Sequence, residues 1–64
     1  MIPYRVERFS KKHNNWIKVS SHKNLEFAEI NAKVIHKLKY CDVRIINKGD
    51  ILQFYSKDVS YDYF

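Results

Sequence analysis

The chain has 64 residues, 45% of them hydrophobic and 16% aromatic, with a formal net charge of +5. That length allows one small domain with a modest core, and the apolar content excludes a disordered chain. The lone cysteine, Cys41, excludes an internal disulfide and points to a reducing, cytoplasmic setting; no stretch approaches the roughly 20 apolar residues of a membrane span, and no run suited to a signal peptide opens the chain.

The positive charge is unevenly placed. Residues 1–23 carry Arg5, Arg8, Lys11, Lys12, Lys18 and Lys23 against Glu7 alone, while the remainder is nearly balanced. A local excess suits an anionic partner better than diffuse basicity does. The total alone is ordinary for a soluble small domain.

In chain order, "YRVERFS" opens as a half-buried strand over about 4–10, with Tyr4 and Val6 inward and Arg5 and Glu7 outward. "SKKHNN" is turn-like, and "WIKVSS" forms a second strand over about 15–21. A regular hairpin with a four-residue loop, Lys11 to Asn14, pairs Val6 with Val19, Glu7 with Lys18, Arg8 with Ile17 and Phe9 with Trp16. It sets Arg8 at the edge of the inner side, stem on apolar surface and head in water. A rival register, with a bulge at Glu7–Arg8, turns Phe9 inward.

"NLEFAEINAKVIHKLK" is the helix, over about 24–39, with Asn24 as N-cap, acids near its start and lysines near its end. Its broad apolar face holds Phe27, Ala28, Ile30, Val34, Ile35 and Leu38, with Asn31 inside that arc and His36 on the solvent side. "DVRIINKGDILQFY" gives a second hairpin over about 42–47 and 50–55, turning at Lys48–Gly49 and pairing Ile45 with Leu52 and Val43 with Phe54.

The fold class is therefore α+β: a four-stranded antiparallel sheet from two hairpins (ββαββ), with one helix packed on one face. The expected core is Tyr4, Val6, Ile17, Val19, Phe27, Ile30, Val34, Ile35, Leu38, Val43, Ile45, Leu52 and Phe54. The tail, 56–64, is acidic and aromatic; Tyr61, Tyr63 and Phe64 either dock on the sheet or meet a partner.

One helix leaves one sheet face open. That face is expected to hold Arg5, Glu7, Phe9, Trp16, Lys18, Ser20, Arg44, Ile46, Ile51, Gln53 and Tyr55. Aromatic and isoleucine side chains framed by arginine and lysine have the composition of a binding surface. Two kinds of partner fit. A protein suits an apolar centre of Trp16, Phe9, Ile46 and Ile51 with Arg5, Lys18 and Arg44 as its rim. A nucleic acid suits Trp16 and Tyr55 as stacking platforms with Arg5, Arg8, Lys11, Lys12 and Lys18 on phosphates, although no aromatic RNA-recognition motif is present. A homodimer through the open face is a third reading. His13, His22 and His36 share no face or metal spacing, so neither an enzyme nor a cofactor is expected.

Taken together, "YRVERF", "NNWIKVSS", "NLEFAEINAKVI" and "VRIINKGDIL" resemble the small hairpin–helix–hairpin proteins encoded by bacteriophages and other mobile elements, over about residues 4–54. The resemblance rests on architecture, shortness and a Lys/Asn/Ile-rich composition. It implies a noncatalytic protein that occludes a host protein or protein complex in the host cytoplasm. The basic first hairpin departs from the acidic, DNA-mimicking members of that group.

Overall fold

The structure, a computed structural model, describes residues 3–59. The expectations for Tyr61, Tyr63 and Phe64 lie outside them. The elements run β1 (Tyr4–Ser10), β2 (Asn15–His22), α1 (Leu25–Lys39), β3 (Val43–Asn47) and β4 (Asp50–Tyr55). The strands form one sheet in the order β2-β1-β3-β4, every neighbouring pair antiparallel, with α1 on one face. The α+β, ββαββ class is thus as the hydrophobic pattern indicated. No helix among the described residues is long and apolar enough to cross a membrane.

Both turns follow from local chemistry. Lys11–Asn14 close the first hairpin, and Asn14 takes the left-handed conformation that asparagine tolerates (φ 52°). In the second, Lys48 (φ 52°) and Gly49 (φ 87°) make a two-residue turn with positive φ at both positions. The ladders then depart from regular pairing at two points. In β2 an extra residue, Val19, makes Val6 pair with Ser20 and not with the expected Val19, while Glu7–Lys18, Arg8–Ile17 and Phe9–Trp16 keep the regular register. Ser20, expected outside, turns toward the helix and Asn31. Phe9 therefore points outward beside Trp16, and the rival bulge at Glu7–Arg8 is excluded. In β4 the extra residue is Leu52, so Ile45 pairs with Gln53, Arg44 with Phe54 and Val43 with Tyr55.

That second bulge corrects several assignments at once. A one-residue slip moves every following side chain to the other face. Gln53 and Tyr55, expected outside, turn toward the helix; Tyr55 is buried. Phe54, expected in the core, lies outside and is half exposed, as is Leu52. Edge strands bulge readily because they have one partner only.

The core is Val6, Ala28, Ala32, Val43, Ile45 and Tyr55, with Tyr4, Val19, Leu25, Ile35 and Cys41 against it. The helix is therefore turned from the expected orientation. Ala28, Ala32 and His36, four residues apart, face the sheet, whereas Phe27, Ile30 and Leu38 stand 57%, 53% and 67% exposed. At 100° per residue those three lie about 120–160° from the buried stripe. The two alanines let the helix axis approach the sheet closely. Polar contacts hold its rotation: Ser20 Oγ donates to Asn31 Oδ1 at 3.1 Å, Gln53 Nε2 to Glu29 Oε2 at 2.6 Å, and His36 Nε2 to the Ser56 carbonyl at 2.6 Å. Tyr55 Oη donates in turn to Gln53 Oε1. His36, expected in solvent, is a buried and satisfied core histidine. Asn24 occupies the N-cap position, its carbonyl accepting from the Ala28 N–H at 3.2 Å, but its side chain makes no cap bond.

Candidate functional site

The open sheet face is assembled from all four strands. Arg5, Glu7 and Phe9 come from β1, Trp16 and Lys18 from β2, Arg44 and Ile46 from β3, and Ile51 and Phe54 from β4. Neighbouring strands lie about 4.8 Å apart, so β2 and β4 are roughly 14 Å apart across β1 and β3. The Trp16 and Phe54 rings nevertheless meet edge to face, centroids 6.1 Å apart. Phe9 packs on Trp16 in the same manner at 5.5 Å. The Arg44 guanidinium lies over the Trp16 ring, 4.1 Å from its centroid. The indole thus bridges the sheet with one flat face covered by a cation.

Beneath this bridge lies Glu7, only 8% exposed although it is on the outer face. A buried carboxylate requires partners. It has two: Arg44 Nη2 at 2.8 Å, supported by Arg44 Nε at 2.8 Å, and Arg5 Nε at 3.0 Å. Lys18 sits opposite Glu7 in the ladder but makes no ion pair among the described residues. The carboxylate instead fixes Arg44, and Arg44 fixes the indole. This is a preorganised aromatic–arginine cluster.

Toward the second turn the same face opens into a cleft of about 240 Å³ lined by Arg5, Lys18 and Lys48, with Ile46 among its walls. Ile46 is 6% exposed and Ile51 55%. Of the expected isoleucine pair, only Ile51 is available to a partner; Ile46 supports the cleft. Arg8 lies on the inner-side parity and is partly buried, and Lys11 and Lys12 are exposed in the turn. These three line a second cleft at the other end of the molecule, which meets the Trp16 cluster through Phe9, and are not themselves part of that cluster. Tyr55, expected as a stacking platform, is removed from the face by the β4 bulge.

The sequence thus indicates Arg5, Phe9, Trp16, Lys18, Arg44 and Ile51 correctly as outer-face residues, and misses Phe54 and Lys48. Phe54 has no sequence signal beyond parity, which the bulge inverts. The sequence puts Lys48 in its turn, but that the turn folds beside Arg5 follows only from the strand order. A second apolar surface, the Phe27–Ile30–Leu38 stripe, is formed by residues that the helical pattern alone places in the core. Among the described residues no group of three or more His, Cys, Asp or Glu side chains is gathered in metal-binding range. The search for relatives returns no matching family model, no matching curated protein and no matching solved structure.

Proposed function

We propose that the chain is a noncatalytic binding protein that occludes an acid-rimmed protein surface with its open sheet face. The carrying observation is the fixed Trp16. Its indole is held by Phe9, Phe54 and Arg44, and Arg44 by the buried Glu7. Trp and Arg dominate binding hot spots, and side chains already held in place lose little entropy on association. Phe54 supplies exposed apolar area beside it and Ile51 more of it toward the second turn on the same face, and Arg5, Lys18 and Lys48 supply a cationic rim. The arrangement favours protein over stacked bases on this face, because one side of the indole is already occupied and Tyr55 is buried. Modulation of a host macromolecule, as the resemblance to small phage proteins implies, is the form this binding takes.

The test is affinity capture from source-cell lysate with the full chain and folded variants. Trp16→Ala and Ile51→Asp should lose a protein that the wild type, Lys11→Ala and Lys12→Ala retain. Retention by all variants, or by none, would contradict the assignment. Sedimentation at high concentration separates the remaining reading: a doubled mass abolished by Ile51→Asp would give the face to a second copy of the chain.

A further inference from the structure

A larger cleft, of about 620 Å³, lies at the opposite end of the molecule. Its walls come from the end of β1, the first hairpin turn, the end of α1 with the link to β3, and the segment after β4, and bring together Arg8, Lys11, Lys12, Lys39 and Lys57. Asp42 is the one carboxylate on its lining, and its Oδ1 is engaged by the Lys57 backbone N–H at 2.8 Å. Neither ion pair found among the described residues involves these cations. The Lys57 side chain stands against that of Lys11 and holds Lys11 below its ordinary pKa. Two ammonium groups thus converge, and Asp58 and Asp42 nearby offset their repulsion only in part. The negative end of the helix dipole also points here, but it amounts to about half a charge against five cations.

Tyr40 stands on the same wall. It is 83% exposed and takes a left-handed backbone conformation (φ 50°), which a residue bearing a Cβ adopts at a cost. Its N–H is bonded to the His36 carbonyl at 3.3 Å, which fixes its backbone at the helix end. An exposed aromatic ring beside clustered cations is the pairing used for unpaired bases on a phosphate backbone.

We propose that this cleft binds the phosphodiester backbone of single-stranded nucleic acid, Lys11 and Lys57 sharing one phosphate, Arg8, Lys12 and Lys39 serving its neighbours, and Tyr40 carrying a base. The site shares Phe9 with the Trp16 cluster but none of Trp16, Phe54, Arg44 or Glu7, and it does not rest on the protein-binding reading. Its residues are separated widely in sequence, so only the fold gathers them.

The experiment is fluorescence anisotropy of the full chain with short labelled single-stranded RNA and DNA and with a duplex, titrated through physiological salt, about 0.15 M. Lys11→Glu and Lys57→Glu should each weaken single-strand binding about tenfold and reduce the salt slope by about 0.7 or more. Tyr40→Ala should weaken it about tenfold as well. Lys23→Glu, an equal charge change at an exposed position outside the cleft, should stay within about twofold. The proposal is overturned if Lys23→Glu costs as much as Lys11→Glu, since binding would then follow net charge. It is equally overturned if duplex binds as tightly as single strands, if Tyr40→Ala has no effect, or if no binding survives physiological salt.

Discussion

Replacing Glu7 with Gln removes one charge beneath the aromatic bridge and leaves the side-chain volume unchanged. Removing one partner from a fully buried ion pair costs about 3–5 kcal/mol. The cost is smaller here. The Glu7 side chain is 10% exposed, but those of Arg44 and Arg5 are 23% and 50% exposed, so both guanidiniums can be rehydrated. Glutamine also keeps an acceptor at Oε1, the atom that both Arg44 donors address. We expect a loss of about 1–2 kcal/mol, within the range for hydrogen bonds to charged groups. For a chain of this size that lowers Tm by roughly 5–15 °C. Trp16, the single tryptophan, reports the transition directly in urea denaturation followed by fluorescence. A double-mutant cycle with Arg44→Ala should give a coupling of about 1 kcal/mol, because each substitution releases the same contact. A Glu7→Gln variant within about 0.3 kcal/mol of wild type, or strictly additive single effects, would refute the claim that Glu7 holds Arg44 against the indole.

The orientation of α1 makes an opposed pair of predictions. Phe27→Ala and Leu38→Ala should each cost under about 0.5 kcal/mol, as exposed positions do, whereas Ala32→Leu should cost about 1–3 kcal/mol by overpacking the helix–sheet contact. Urea midpoints decide this, and losses above about 2 kcal/mol at Phe27 and Leu38 would restore those residues to the core. Burial pushes the Cys41 thiol above its ordinary pKa, with Arg8 opposing in part. Less thiolate is therefore present at any given pH than for an unperturbed cysteine, and the pH midpoint of iodoacetamide alkylation should lie above that of the urea-unfolded chain. An equal or lower midpoint in the folded protein would contradict it.

The elements and both turns were legible because their signals are local. Alternation marks the strands, Lys48–Gly49 permits a tight turn, and the polar run 11–14 closes the first hairpin. The regular register at Glu7, Arg8 and Phe9 was legible too, since charge and aromatic pairing agreed there. The bulges at Val19 and Leu52 were not. Each depends on what the helix offers from above: Asn31 takes the Ser20 hydroxyl, while Glu29 and the Gln53–Tyr55 pair bind one another. These contacts cross the fold and leave no periodic trace. The helix misled in a related way. Its apolar arc is wider than the strip the sheet covers, so the centre of that arc falls outside the contact, and the closely packed side carries Ala28, Ala32 and His36. The site was legible to the extent that it needed only strand parity. Phe54 follows from a bulge, and the company of Lys39, Tyr40 and Lys57 with the first turn follows from topology.

The central claim is that a protein partner sits on the Trp16 face. A photocrosslinking side chain, p-benzoylphenylalanine, placed at Ile51 tests it most directly, with the same group at Ile30 on the exposed helix stripe for comparison. Irradiation in source-cell lysate should give a discrete protein adduct from position 51 and none from position 30. An adduct from position 30 with none from position 51 would move the interface to the helix and contradict the account.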